Sequence, residues 1–192
     1  MDYLKNAQFI KSIFNKKDFI EDDLPVFIMV GKSNVGKSSF INSLVNNKKL
    51  AKVGSSPGKT RSINYFEINK EIYLVDLPGY GYSKMSQKEK ESINKLTDEF
   101  LNSNMNIRHI FFLVDIRHEP TENDRQMYDW ISSSDIPCTI IANKADKLSK
   151  KQIEESIKII EKKLFASNEI IPFSSEHKIG VEDVLKKITS YK

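Results

Sequence analysis

The chain is short of the features that mark secreted or membrane proteins. It has one cysteine, Cys138, among 192 residues, so no internal disulfide can form. That cysteine lies in the apolar run Cys138–Ala142 and reads as a small buried hydrophobe, not a reactive thiol. Uninterrupted apolar runs such as Val26–Val30 and Ile110–Val114 are far too short to span a bilayer. Lys5 and Lys11 break up the apolar core that a secretory signal requires, so a cytoplasmic location without membrane attachment is expected. An excess of one charge is lacking too: 30 Lys and Arg stand against 26 Asp and Glu, a net +4. That balance permits a nucleic-acid partner without establishing one. Many lysines sit beside glutamates, as in Ser149–Lys163, the pattern of a solvated helix face.

Glycine is scarce, with seven in the chain: Gly31, Gly36, Gly54, Gly58, Gly79, Gly81 and Gly180. All fall between periodic segments, where a ligand or a moving loop needs backbone freedom. Strands are expected at Val26–Val30, Ile63–Asn69, Glu71–Asp76, Ile110–Asp115, Pro137–Asn143 and Glu169–Phe173, and helices at Lys37–Asn46, Gln87–Ser103, Glu122–Ser133, Ser149–Phe165 and Val181–Tyr191. Asn69-Lys70 reads as a tight turn that makes the second and third strands an antiparallel hairpin. Helices separate most other strands. The expected fold is therefore α/β, a three-layer α/β/α sandwich around a mostly parallel six-stranded sheet with one antiparallel edge strand. Residues 25–192 form the expected nucleotide-binding domain. Residues 1–24 are an extension in which Phe9, Ile10, Ile13 and Phe14 make either one face of a short packed helix or part of a frayed arm.

In such sheets a ligand lies beyond the carboxyl ends of the strands, and the motifs fall there. Gly31-Lys32-Ser33-Asn34-Val35-Gly36-Lys37-Ser38, between a strand and a helix, is a phosphate-binding loop. Its backbone N–H groups and the helix N-terminus converge on an anion. Lys37 reaches the β- and γ-phosphates and the Ser38 hydroxyl takes Mg²⁺. Asp76-Leu77-Pro78-Gly79 ends another strand: Asp76 suits Mg²⁺ held through water, and the Gly79 N–H suits the γ-phosphate. Thr60 lies in the loop Gly54–Arg61, where a hydroxyl completes the Mg²⁺ shell and senses the γ-phosphate. In Asn143-Lys144-Ala145-Asp146 the carboxylate accepts from guanine N1–H and the exocyclic amine, a donor pair adenine lacks. Asn143 braces neighbouring loops and the Lys144 stem covers the base. Backbone N–H groups of Ser174-Ser175-Glu176 suit the guanine carbonyl, although that segment also resembles a helix-start loop.

These motifs, in this order, resemble the translation-factor-related GTPases of the P-loop NTPase fold. The details narrow the resemblance to the bacterial EngB family, also called YsxC or YihA, of ribosome-biogenesis GTPases. They are Gly31 to Ser38 continued by Ser39-Phe40-Ile41-Asn42, then Pro57-Gly58-Lys59-Thr60 with Asn64-Tyr65-Phe66, and Asp76-Leu77-Pro78-Gly79-Tyr80-Gly81-Tyr82. Leu113-Val114-Asp115-Ile116-Arg117-His118-Glu119-Pro120-Thr121 with Asp124 is similar too. The resemblance extends over about residues 25–190. Lys32 and Lys59 stand where arginine is usual, and His177-Lys178 replaces smaller residues.

The resemblance implies a monomeric GTPase (GTP to GDP and phosphate) that acts in late assembly of the large ribosomal subunit and is needed for normal cell division. Its GTP contacts would be Gly31 to Ser39, Gly58-Lys59-Thr60-Arg61-Ser62, Asp76 to Gly79, Asn143 to Asp146 and Ser174 to Glu176, with Lys37, Thr60 and Gly79 at the reacting phosphate. Arg117, His118 and Asp124 either orient their loop or touch the ribosome. Tyr80 occupies the place where Ras-like enzymes carry a water-orienting glutamine, so intrinsic hydrolysis is expected to be slow. Asn34 is either a K⁺ ligand or a loop-bracing amide. Tyr80, Tyr82 and Lys84 offer stacking and charge to ribosomal RNA once GTP orders their loop. Two alternatives stand beside this reading: a GTP switch whose partner is a protein at the division site, and a phosphate-loop kinase. Asn143–Asp146 weighs against the kinase.

Overall fold

A computed structural model describes residues 2–53, 62–81, 86–103 and 106–191. The strands are β1 (Ala7–Ile13), β2 (Val26–Gly31), β3 (Ile63–Ile68), β4 (Ile72–Asp76), β5 (Ile107–Asp115), β6 (Cys138–Asn143) and β7 (Ile170–Phe173). The helices are α1 (Lys37–Leu44), α2 (Gln87–Leu101), α3 (Glu122–Ser132), α4 (Lys150–Leu164) and α5 (Val181–Thr189). Side chains alternate across the sheet, and the core divides accordingly. Val26, Ile28 and Val30 face the layer holding Phe100, Tyr128, Ile131 and Leu164 from α2, α3 and α4. Phe27 and Met29 face Phe40, Leu44, Val184 and Ile188 from α1 and α5. Burying both faces explains why the central strands read as continuous apolar runs.

The sheet order is β1-β3-β4-β2-β5-β6-β7. β4, β2, β5, β6 and β7 are mutually parallel, and β3 pairs antiparallel with β4. Asn69 (φ 54°) and Lys70 (φ 58°) close that hairpin with positive φ at both central positions, the geometry that matches strand twist.

Two expectations are corrected. The sheet has seven strands, not six, and the reversed strand β3 is not at its edge. The segment around Phe9–Phe14 is no helix: β1 pairs antiparallel with β3 from Ala7↔Ile68 to Ile13↔Ile63. Pairing satisfies the otherwise free backbone groups of β3, which a helix laid on the domain would leave open. Ile13 is fully buried, Phe9 meets Phe66 edge-on at 5.7 Å, and Gln8 and Ser12 bond Glu67 and Asn64 at 2.7 and 2.6 Å. The register shift between Phe9 and Lys11 bulges Ile10 outward.

Helix starts are chemically fixed. Ser86 with Glu89, Thr121 with Asp124 and Ser149 with Gln152 form capping boxes on α2, α3 and α4. Among the described residues no helix is long and apolar enough to cross a membrane.

Candidate functional site

The site lies at the carboxyl end of the parallel strands. β2 runs out at Gly31, where an added Cβ would sit 2.7 Å from the Leu113 carbonyl oxygen. The chain turns through residues 32–36 and enters α1 at Lys37. Gly36 holds φ 109°, and a side chain there would strike the Asn143 amide. Only glycine meets both demands. Val35 is buried as the loop's apolar anchor, and its carbonyl accepts from Asn143 Nδ2 at 2.7 Å. The phosphate loop and the Asn143 loop, 108 residues apart, are therefore one assembly.

Lys37 is 7% exposed and donates to the Gly31 carbonyl at 3.2 Å. Its ammonium lies 4.0 Å from Asp76 Oδ1 at the end of β4. Burial pulls the Lys37 pKa down, opposed by Asp76; burial pushes Asp76 up, opposed by Lys37 and by Ser38. Ser38 Oγ stands 3.4 Å from Asp76 Oδ2, and buried Oδ1 has no hydrogen-bond partner. A buried acceptor without a donor is costly and calls for a ligand. Oxygen donors of this kind, from an acid and an alcohol, fit Mg²⁺. Leu77 is a core residue whose N–H bonds the Met29 carbonyl at 3.1 Å, and Pro78 is buried beside it. Gly79 lies against the loop: a Cβ there would be 2.9 Å from Ser33 and 3.1 Å from Lys37 Nζ. The next residue is latched to the loop by Ser33 N–H bonding the Tyr80 carbonyl at 3.0 Å.

On the other side, Lys144 adopts φ 70° at the end of β6. Its ammonium donates to the Asn34 carbonyl at 3.2 Å and to Asp115 Oδ2 at 2.8 Å. Ala145 is buried in the core and starts the short turn carrying Asp146. The Asp146 side chain is 6% exposed. Ser174 Oγ donates to its Oδ1 at 2.6 Å, and Lys147 Nζ lies 2.8 Å from its Oδ2. Burial pulls this carboxyl upward, yet Lys147 and Ser174 hold it below the ordinary range, so it stays ionised. Oδ2 nevertheless lacks a well-aligned hydrogen bond. Ser174 also accepts from the His177 N–H at 3.1 Å, Ser175 Oγ is buried without a partner, and Glu176 pairs with Lys147 at 3.2 Å.

The structure thus brings together Gly31–Ser39, Asp76–Gly79, Asn143–Asp146 and Ser174–Glu176. Ser62, just before β3, is buried and its hydroxyl donates to Asn64 Oδ1 at 3.2 Å. Gly58, Lys59, Thr60 and Arg61, and likewise Tyr82 and Lys84, lie outside the described residues. Asn34 is exposed at φ 63°, and its side-chain amide makes no hydrogen bond among the described residues. Tyr80 is not displayed for stacking: its hydroxyl donates to Asp124 Oδ1 at 2.7 Å. Cys138 is partly buried, and burial pushes its thiol up to about 12, so it is inert.

Two residues without an assigned role enter the site. Asp115 ends β5 as Asp76 ends β4, and that shared position, an acid closing an apolar strand, was the available signal. It binds Lys144 and, at 2.9 and 2.7 Å, the Arg117 guanidinium. Although burial pushes it up, these bonds hold its carboxyl far below the usual range. Lys147 is the counter-ion of Asp146, and nothing in its exposed sequence context distinguished it.

The sequence profile of a family described as 50S ribosome-binding GTPase matches residues 26–144. The protein named "Probable GTP-binding protein EngB" of Clostridioides difficile is 44% identical over 189 residues, 97% of this chain and 93% of its own. Its namesake in Thermoanaerobacter pseudethanolicus is 44% identical over 190 residues, 98% of each chain. Among crystal structures, a probable GTP-binding protein engB superposes with a TM-score of 0.71 at 27% identity, covering 86% of this chain and 97% of that one. Era in complex with MgGDPNP and a fragment of 16S ribosomal RNA superposes with 0.69 at 25% identity, covering 88% of this chain and 57% of Era. Identity of this degree over nearly the full length of both partners places the chain in the EngB family of GTP-binding proteins, within the GTPases.

Proposed function

We propose that the protein is a monomeric, cytoplasmic GTP switch. It hydrolyses GTP slowly and, in its GTP form, assists late assembly of the large ribosomal subunit, on which normal cell division depends. Residues 25–192 carry the switch, with residues 1–24 packed on it through β1. The observation that supports guanine recognition is Asp146: its side chain is nearly buried, held ionised by Lys147 and Ser174, and one of its oxygens has the Lys147 ammonium beside it but no well-aligned hydrogen bond. Guanine N1–H and its exocyclic amine supply donors for such a bond. Family membership supports the large subunit as partner, through the description 50S ribosome-binding GTPase.

Each residue then has a task. Lys37 and the N–H groups of residues 32–39 neutralise and hold the β- and γ-phosphates. Ser38 and Asp76 would hold Mg²⁺, the acid through water, with Thr60 completing the set. Mg²⁺, when bound, offsets charge that builds on the phosphate oxygens. Gly79 and Thr60 meet the γ-phosphate, which makes their loops sensitive to hydrolysis. Tyr80 is engaged with Asp124 and does not position water as glutamine does, which supports a slow intrinsic rate.

Competition of ATP against GTP for the Mg²⁺-loaded protein tests the assignment. GTP and GDP displace a labelled guanine nucleotide and ATP does not. Asp146→Asn should lose guanine preference and gain xanthine binding, each charged hydrogen bond being worth about 1.5–3 kcal/mol. Normal GTP binding by Asp146→Asn would refute the base site. Lys37→Ala should abolish tight triphosphate binding.

A further inference from the structure

The stretch leaving α1, Asn46–Val53, contains Lys48, Lys49 and Lys52 and no acidic residue. All three lysines are exposed. Some lysines elsewhere are matched, such as Lys163 with Glu119 at 2.9 Å and Lys186 with Glu182 at 3.2 Å. Others, Lys16 and Lys17 among them, stand in no ion pair among the described residues. What sets this stretch apart is three such lysines within five positions with no acid between them. Among the described residues no ion pair involves Lys48, Lys49 or Lys52. Neighbouring like charges repel, and a solvated helix face would not gather them unbalanced on a loop.

The loop is also rigid. Asn42, 6% exposed on α1, donates to the Lys48 and Ala51 carbonyls at 3.1 and 2.9 Å and accepts from the Ala51 N–H at 2.8 Å. The Asn47 N–H returns to the Asn42 carbonyl at 3.0 Å, and Asn47 Oδ1 accepts from the Lys49 N–H at 3.0 Å. Ala51 is buried and Leu50 packs on the same core as α1. A saturated, buried amide is costly to unmake, so the lysine-bearing backbone is held in one shape. Lys178 borders the loop, its ammonium 3.3 Å from Asn46 Oδ1 and 5.1 Å from the centre of the Tyr3 ring. A backbone already held in place has less freedom to lose on binding, and a polyanion gains from each counterion it releases.

We propose that Asn46–Val53 is a docking surface for the sugar-phosphate backbone of ribosomal RNA, with Lys48, Lys49 and Lys52 as its phosphate contacts and Asn42 as the positioning residue. The inference rests on the large subunit being the partner. The surface is distinct from the nucleotide contacts, and it runs in sequence directly into the segment holding Thr60.

The test uses the full chain with a non-hydrolysable GTP analogue and purified large subunits. The triple variant Lys48→Gln, Lys49→Gln, Lys52→Gln is compared with the wild type from about 0.05 to 0.2 M salt. At roughly 0.1 M salt the variant should bind on the order of a hundredfold more weakly, with a log–log salt slope shallower by about 2–3. GTP affinity should not move. Asn42→Ala, with every lysine kept, should weaken subunit binding in the same direction. Wild-type affinity and slope in the triple variant would overturn the surface while leaving the large-subunit reading intact. No subunit binding by the wild type would overturn that reading itself. Loss of binding to subunits with unchanged binding to their protein-free RNA would assign the loop to an acidic ribosomal protein and overturn the RNA contact.

Discussion

The Tyr80 hydroxyl donates to Asp124 Oδ1 across 2.7 Å, tying the segment that follows β4 to the first turn of α3. The other carboxylate oxygen caps that helix, accepting from the Thr121 N–H at 2.7 Å and its hydroxyl at 2.6 Å. Asp124 thus works structurally from both oxygens, and burial with Asp124 beside it keeps the Tyr80 phenol protonated.

Removing that hydroxyl separates a structural tyrosine from a catalytic one. Tyr80→Phe leaves one oxygen of the buried Asp124 unpartnered and should lower stability by about 1–3 kcal/mol in urea unfolding. Single-turnover GTP hydrolysis should change far less than the roughly 100-fold lost with a catalytic acid or base. A loss of that size with stability intact would make Tyr80 catalytic.

Asp115 anchors Lys144, which in turn holds the Asn34 carbonyl. Asp115→Asn removes the anchoring charge and should weaken GTP binding about tenfold, or about 1.4 kcal/mol. ATP should still be rejected, because Asp146 is untouched. Equilibrium titration with labelled GTP reads the affinity, and an unchanged value would remove Asp115 from the site.

His109 gives a pH signature far from the nucleotide. Its ring nitrogens meet Tyr191 Oη at 3.1 Å and Thr139 Oγ1 at 2.9 Å. Burial, aided by Lys187 and opposed by Glu169, lowers its pKa from 6.5 to about 4. The fold accepts the neutral ring, so between these values the unfolded chain binds the extra proton. This contribution is complete above pH 6.5, falls as pH drops, and flattens below about 4. Its size is roughly 3 kcal/mol. Urea midpoints across that window should decline less in His109→Gln; parallel profiles would contradict the assignment.

Asn34 offers an exposed amide at the phosphate loop, where a monovalent cation would stand in for a fixed positive charge. Exchanging Na⁺ for K⁺ should speed hydrolysis, and Asn34→Ala should erase the difference. Equal rates in both salts would retire the K⁺ proposal alone.

Much of this molecule was legible because its signals are local. Buried parallel strands read as apolar runs, the Asn69-Lys70 turn as a hairpin, and each motif as a loop at a strand end. β1 was not: Phe9, Ile10, Ile13 and Phe14 fit a helical spacing, and the bulge at Ile10 breaks the alternation that would have marked a strand. Nor were the partners of Asp115 and Tyr80 legible. Tyr80 meets Asp124 across 44 residues, and only the folded sheet brings them together.

The central claim is that GTP, by its γ-phosphate, licenses contact with the large ribosomal subunit. Sedimentation of purified protein with purified subunits, in a non-hydrolysable GTP analogue and in GDP, tests it most directly. The account predicts strong association with the analogue, weak association with GDP, and loss of the difference in Thr60→Ala, which should keep near-normal GDP affinity. Association that ignores the nucleotide would contradict the claim and favour a protein partner at the division site.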